Sequence, residues 1–232
     1  MEDLWHGLGA AARLLASGDR EVWGIVLLSL RVSLSATVVS LLLGVPVGAT
    51  LALTRFPGRS LLVGLVHTGM GLPPVSVGLI VSILLWRSGP LGGLGLLFTP
   101  TAMIVAQAAI ATPIVAGLTL AAVQALDPRL RLQLLAIGAS PLQMTWWLLR
   151  EARLPLIAAV IAGFGAVISE VGAAIMVGGN IKGETRVLTT ATVLEVGRGN
   201  FDVAVALTVV LLLLTYAVNL TLTAIQQRRR PG

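Results

Sequence analysis

The stretch that decides the fold is Asp127–Pro155, DPRLRLQLLAIGASPLQMTWWLLREARLP, which is the one long charged interruption in an apolar chain. Its middle contains Gly138, Ser140 and Pro141. A glycine can take the left-handed conformation that ends a helix, and serine followed by proline is a typical helix start. Asp127-Pro128 repeats that start signal. The stretch therefore predicts two short helices, set at an angle on one face of a membrane and suited to docking into a partner protein.

The composition indicates an integral membrane protein. Of the 232 residues, 56% are hydrophobic and 11% are charged, and the mean hydropathy is +0.94. The charge-free run from Val32 to Thr54 exceeds the about 20 residues that a membrane-spanning helix needs. Residues 1–20 mix acidic, basic and short apolar segments, so no cleaved signal peptide is expected. We therefore expect an all-α protein that lies within a lipid membrane.

The apolar runs predict five transmembrane helices within one domain, residues 1–232. The spans are expected at about 22–54, 60–86, 101–123, 155–177 and 203–225, with a cytoplasmic loop at 124–154. In the first span, Gly44, Pro46 and Gly48 are expected to loosen the inner half. In the second, Gly69–Pro74 interrupts the helix. Broken helices are tolerated where the freed backbone faces protein or water, so Pro73 and Pro74 are candidates to line a translocation path.

The basic residues set the expected orientation. The 54–60 turn, the 124–154 loop and the C-terminus are placed in the cytoplasm, and the N-terminus outside. The cytoplasmic arginines are Arg55, Arg59, Arg129, Arg131, Arg150, Arg153, Arg228, Arg229 and Arg230. They outnumber the basic residues expected on the other side, as the positive-inside rule requires. The net charge of +6 is explained by membrane orientation, and no nucleic-acid partner is expected.

Several kinds of chemistry are not encoded. A P-loop needs Gly-Lys-Ser/Thr, whereas the sole lysine, Lys182, lies between Ile181 and Gly183. The two histidines are far apart, there is no cysteine, and no catalytic triad is recognisable. We therefore expect neither an enzyme nor a metal site or cofactor in this chain.

Two charged side chains within the spans have alternative roles. A carboxylate inside a membrane is costly, so Glu170 should face the bundle interior with a partner. It either accepts hydrogen bonds from the backbone or Arg31 and holds the helices together, or it acts in gating or translocation. Arg31 either snorkels or pairs, or it lines an anion path. Trp146 and Trp147 are expected at the bilayer interface.

Three features together resemble the inner-membrane permease subunits of ATP-binding-cassette (ABC) importers of the type I fold. The first is Gly138-Ala139-Ser140 with Leu154-Pro155 downstream, similar to the family's cytoplasmic loop motif. The second is Leu72-Pro73-Pro74, with Gly78 after it. The third is SEVGAAIMVGGNIKGETRVLTT, residues 169–190, which is similar to the oxyanion branch and most similar to tungstate-type permeases. The resemblance covers about residues 22–225.

The resemblance implies a mechanism and partners. Two chains form a homodimer with the path between them, two separate ATPase subunits grip the 124–154 loops, and an external binding protein delivers the oxyanion at a prokaryotic inner membrane. The family's EAA triplet is replaced here by Leu132-Gln133-Leu134. The docking contact is therefore expected to use Gln133 and the 138–147 stretch, including Ala139 and Gln143, without an acidic anchor.

The outer segment from Asn180 to Thr192 is the candidate anion site. The charges of Lys182 and Arg186 and the hydroxyls of Thr185, Thr189 and Thr190 are able to receive a tetrahedral dianion. The alternative is a solvated loop that contacts the binding protein. Tungstate is the expected substrate, with molybdate or another oxyanion as the alternative. A secondary transporter or channel driven by an ion gradient is the rival function, and a membrane-embedded enzyme has less support.

Overall fold

The computed structural model describes residues 20–228, all of whose regular elements are helices. The signal-peptide expectation and two of the C-terminal arginines fall on residues 1–19 and 229–232, outside the described range. The α-helices are α1 (Arg20–Leu53), α2 (Arg59–Met70), α3 (Pro74–Leu85), α4 (Pro100–Gln124), α5 (Pro128–Ala136), α6 (Pro141–Glu151), α7 (Arg153–Ile168), α8 (Gly172–Gly178), α9 (Leu188–Gly197) and α10 (Phe201–Arg228).

Three of these helices, α1, α4 and α10, are long and apolar enough to cross a membrane. Up to five candidate spans result if two bent pairs, α2 with α3 and α6 with α7, each count as one span. The all-α prediction is confirmed, while the number of five crossings stays a prediction.

Helix α1 runs without interruption through Pro46, where we expected a loosened helix. Its buried face is a seam of small residues that packs on α4. The seam consists of Ser29, Ser33, Ala36, Thr37, Ser40, Gly44 and Gly48. Small side chains let helix backbones approach closely, which is the main source of helix association in a membrane. Gly44 and Gly48 therefore serve close packing of α1 on α4.

Two helix breaks shape the middle of the molecule. The axes of α2 and α3 differ by 105° across Gly71–Pro73, as the interruption of the second span predicted. The predicted fourth span is also broken, because α7 ends at Ile168 and α8 begins at Gly172. The segment after it is predicted to be either an anion site or a solvated loop, whereas residues 188–197 form helix α9, packed on α10.

Long-range contacts define two ends of the molecule. At the first end, the Lys182 ammonium pairs with the Glu21 carboxylate at 2.7 Å, and the Leu188 amide donates to Ser29 Oγ at 2.9 Å. At the second end, Gln226 Nε2 donates to the Leu154 carbonyl oxygen at 3.1 Å. The start of α1 therefore lies with the 179–188 turn, and the end of α10 lies beside the first turn of α7, which directly follows α6.

Candidate functional site

The turn between α5 and α6 has the geometry that its sequence predicts. Gly138 has a φ of 76°, in the left-handed region. Ser140 Oγ accepts from the Gln143 amide at 3.3 Å, and Gln143 Oε1 accepts from the Ser140 amide at 2.9 Å, which together form a capping box. Asp127 Oδ1 accepts from the Arg129 amide at 2.8 Å and caps α5. The predicted helix end and both helix starts are confirmed, and the Gln143 side chain is used within the turn.

The inner faces of α5 and α6 anchor this loop to the bundle. Leu134, Met144 and Leu148 are buried together. They pack against Leu53 at the end of α1 and Leu126 just beyond α4. These contacts join the loop to the ends of two long helices of the bundle.

The outer face of the same loop is apolar and exposed. Ile137 and Leu142, on either side of the turn, are 79% and 81% exposed. Other exposed apolar side chains of the loop are Leu132, Leu135, Trp146 and Trp147. We call the surface formed by Leu132, Leu135, Ile137 and Leu142 the apolar tip. Gln133 is exposed and Ala139 is partly buried. The Arg150 guanidinium stacks over Trp147, 4.9 Å from the ring centroid. Contiguous exposed apolar surface of this kind typically marks an interaction site.

The two helix breaks meet through glycine contacts. A Cβ added to Gly78 of α3 would lie 2.6 Å from Ala173 Cα, and one added to Gly172 would lie 2.5 Å from Val75 Cγ2. Pro73 caps the start of α3, and Pro74 is its first residue. The first halves of α3 and α8 are thus in close contact. A Cβ at Gly172 would lie near both Val75 and Glu170 Oε1, so the start of α3, where Pro74 lies, is near Glu170.

Glu170 occupies the break between α7 and α8 and is 8% exposed. Its Oε1 atom accepts from the Ala173 amide in the first turn of α8 at 2.9 Å. Its carbonyl oxygen accepts from Thr189 Oγ1 at 2.9 Å, which ties the break to α9. The expected backbone partner is therefore present, whereas the described residues contain no bond between Glu170 and Arg31. Glu170 joins α7, α8 and α9.

Replacing Glu170 with alanine should destabilise the protein, whereas Glu170→Gln should not. Alanine leaves the buried Ala173 amide without its acceptor, which costs about 1–3 kcal/mol. Glutamine keeps an oxygen acceptor at the same place. Thermal unfolding in detergent and substrate uptake would be measured for both variants. If Glu170→Gln stops uptake while unfolding as the natural chain does, the negative charge serves gating or translocation and the structural role is insufficient.

The outer segment forms a hydrogen-bonded turn that brings its predicted site residues together. Asn180 has a φ of 52°, a conformation that asparagine tolerates. Its Nδ2 donates to the Thr190 carbonyl oxygen at 3.2 Å, and its Oδ1 accepts from Arg186 Nε at 3.3 Å. Thr185 Oγ1 donates to the Gly178 carbonyl oxygen and accepts from the Ile181 amide.

The three threonine hydroxyls already have acceptors in this turn. Thr185 and Thr189 donate to carbonyl oxygens of the turn and of the helix break, and Thr190 Oγ1 donates to the Val187 carbonyl oxygen at 3.1 Å. An oxyanion held by these hydroxyls would have to replace those bonds. Their role in anion binding stays a prediction, and the observed bonds give them a structural role in the same place.

The Glu195 carboxylate accepts hydrogen bonds from the turn between α9 and α10. Glu195 accepts from Asn200 Nδ2 at 2.7 Å and from Arg198 at 2.9 Å. The hydrogen bond from Asn200 and the bond and charge of Arg198 lower the pKa of the Glu195 carboxyl. These contacts hold the short connection between α9 and α10.

Two features of the site are not predicted from the sequence. Ile137 and Leu142 are apolar residues beside a helix stop and start signal, where polar residues are expected, and that departure is the signal that could have found them. Arg20 and Arg31 lie three helical turns apart on α1 and line one cleft. Within residues 20–228 no group of three or more histidine, cysteine or acidic side chains could hold a metal ion.

The amino-acid sequence is similar to those of known membrane transport proteins. Residues 44–231 match the family described as the binding-protein-dependent transport system inner membrane component. The tungstate uptake system permease protein of Peptoclostridium acidaminophilum is 38% identical over 98% of this chain and 100% of its own. A probable anion ABC transporter permease of Haloferax volcanii is 41% identical over 90% of this chain and 91% of its own. The Escherichia coli K12 molybdenum transport permease is 30% identical over 73% and 77% of the chains.

Solved structures show the same fold. A chain of the MetNI methionine ABC transporter in an inward-facing conformation superposes with a TM-score of 0.73, at 21% identity over 91% of this chain and 95% of that one. The helix order, the broken helices and the anchored apolar tip define a multi-pass membrane subunit with the fold of type I ABC-importer permeases. More particularly, the chain belongs to the family of binding-protein-dependent transport system inner membrane components.

Proposed function

We propose that this chain is the permease subunit of an ABC importer that takes up an oxyanion, with tungstate as the substrate. The observation that carries the proposal is the apolar tip, firmly anchored to α1 and α4 and exposed in the chain by itself. An ATPase subunit that covers this tip would convert ATP binding into movement of the bundle. The chain itself hydrolyses no ATP in this scheme, and it needs no cofactor.

The proposed assembly contains two copies of this chain, two ATPase subunits and an external binding protein. The path lies between the two copies, because a single bundle of about five spans offers little room for one. The loop of α5 and α6 and the end of α10 face the cytoplasm, and the start of α1 faces outward. The contacts of Gln226 with Leu154 and of Lys182 with Glu21 support this placement of the two ends.

The relatives favour tungstate among the oxyanions. Two relatives at 38% and 39% identity carry a tungstate name, one of them matched over 98% of this chain. Relatives named for molybdenum transport match at 30% identity over 71% to 73% of the chain. Tungstate and molybdate have nearly the same size and charge, so molybdate is the alternative substrate, which direct competition would reveal.

Uptake by the assembled importer tests the proposal. The chain would be reconstituted in vesicles with its ATPase and binding protein, and tungsten inside the vesicles would be measured by elemental mass spectrometry. We expect uptake that requires ATP and that excess sulfate does not suppress. Preferential uptake of molybdate or sulfate would contradict the substrate. Anion movement by the chain alone, driven by an ion gradient without ATP, would contradict the importer and favour the secondary transporter.

A further inference from the structure

A cleft of about 650 Å³ opens where α1 begins. One wall is a single face of α1, because Arg20, Gly24, Leu28 and Arg31 recur at helical spacing. The opposite wall is the turn 182–186, with Pro100 at the start of α4 beside it. A Cβ added to Gly24 would have no neighbour within 4 Å, so this wall is open. We call this space the outer cleft.

The depth of Arg31 follows from the sequence. It directly precedes the charge-free run from Val32 to Thr54. At 1.5 Å per residue that run is about 34 Å long, close to the thickness of the hydrocarbon layer, about 30 Å. Arg31 therefore lies at the edge of the hydrocarbon, where lipid phosphates and water begin. Arg20 lies about 16 Å further along the helix axis.

The outer cleft has an excess of positive charge. It is lined by the basic residues Arg20, Arg31, Lys182 and Arg186 and by the acidic residues Glu21 and Glu184. Lys182 pairs with Glu21, and Arg186 holds Asn180. Arg31 is exposed to the cleft, and within residues 20–228 it forms no hydrogen bond or ion pair. Its planar guanidinium is thus available to bind an anion with two parallel hydrogen bonds.

We propose that the outer cleft binds a tetrahedral oxyanion, with Arg31 as the main donor and with Lys182 and Arg186 supplying positive charge. The anion is either the free oxyanion on its way to import or the phosphate group of a lipid at the same membrane surface, since both present negatively charged oxygens around a tetrahedral centre. The first source rests on the proposed function. The second does not, because an arginine at the hydrocarbon edge extends its charged group to the level of the lipid headgroups on either side of a membrane.

Binding to the purified full chain tests this proposal. The chain would be purified in a phosphate-free detergent without added lipid, and tungstate bound at equilibrium would be measured by elemental mass spectrometry. In a second arm, native mass spectrometry of the chain in detergent would measure retained phosphatidylglycerol. Arg31→Gln should weaken one of the two by about tenfold or more, the usual effect of losing a hydrogen bond to a charged group. Whichever arm responds identifies the source of the anion.

Two further variants control the interpretation. Arg87→Gln removes an exposed arginine from the loop after α3, which does not line the outer cleft, and should leave both measurements unchanged. Gly24→Leu fills the cleft without a change of charge and should weaken binding as Arg31→Gln does. It also keeps the test valid if Arg31→Gln fails to fold. The proposal is wrong if neither tungstate nor lipid binding depends on Arg31 and Gly24, or if Arg87→Gln has the same effect.

Failure of this inference is distinguishable from failure of the proposed function. If the assembled natural importer takes up tungstate with ATP and cleft variants bind normally, only the outer cleft assignment fails. If the natural importer takes up no oxyanion while retention of phosphatidylglycerol still depends on Arg31, the transport function fails and the cleft remains an anion site.

Discussion

Replacing Leu142 with aspartate is expected to weaken binding of the ATPase subunit, so that co-purification is lost and ATP-driven uptake falls sharply, while the permease stays folded. Leu142 is 81% exposed in the first turn of α6, so the isolated chain loses no packing. An acidic residue in the first turn of a helix is also favourable. In the complex, the carboxylate would be buried without a partner. Loss of a central interface residue costs about 2 kcal/mol, which weakens binding by about thirtyfold.

The matched control is Leu94→Asp. Leu94 is also an exposed leucine, at 62%, but it lies in the turn before α4, whereas the loop of α5 and α6 follows the end of α4. Affinity purification of each tagged variant from native membranes, followed by identification of the associated chains, measures the effect. Leu94→Asp should retain the ATPase. Retention by Leu142→Asp as well would show that the apolar tip is not where the ATPase docks.

The sequence predicts the docking loop well because its signals are local. Gly138, Ser140 and Pro141 act on backbone atoms no more than a few residues away, and their helix end and cap are confirmed. The same holds for the break before Pro74, since a proline cannot continue the helix before it. These features depend on backbone conformation and hydrogen bonds within a few residues of the chain.

Helix α9 was not predicted, because distant contacts stabilise it. Its first residues, Leu188-Thr189-Thr190-Ala191-Thr192-Val193, include several β-branched side chains with low helix propensity. The Leu188 amide bonds to Ser29 Oγ, 159 residues away in the chain, and Thr189 bonds to the Glu170 carbonyl oxygen. Burial of Leu188 and Ala191 against α10 adds to these bonds. The partners of such contacts are too far apart for a local sequence pattern to predict them.

The same reason applies to the candidate site. The sequence places Asn180, Thr185, Arg186 and Thr190 in one segment, and the structure does bring them together. Which hydroxyl donates to which carbonyl depends on the fold of the turn and of α9. The outer cleft is likewise a product of tertiary structure, because Arg31 and Lys182 are far apart in the chain.

The seam on α1 leads to the second large expected effect. Gly48→Ala should strongly destabilise the protein. A Cβ at this position would press against the Ala116 carbonyl oxygen, and it would lie 2.7 Å from Thr119 Cβ and 3.0 Å from the Leu120 amide nitrogen. Two of these atoms belong to the backbone of α4, so rotation of a side chain cannot relieve the contact. Overpacking of this kind typically costs about 1–3 kcal/mol and occasionally more.

Gly24→Ala is the matched control for Gly48→Ala, because it makes the same change in the same helix at a position with no neighbour within 4 Å. Alanine favours a helix over glycine by about 1 kcal/mol, so Gly24→Ala should raise the unfolding temperature slightly. Gly48→Ala has the same propensity gain but should lower that temperature, since separating α1 from α4 outweighs it. Opposite signs for the two variants, measured by thermal unfolding in one detergent, would establish close packing of α1 on α4. Equal shifts would mean that the seam does not hold these helices together.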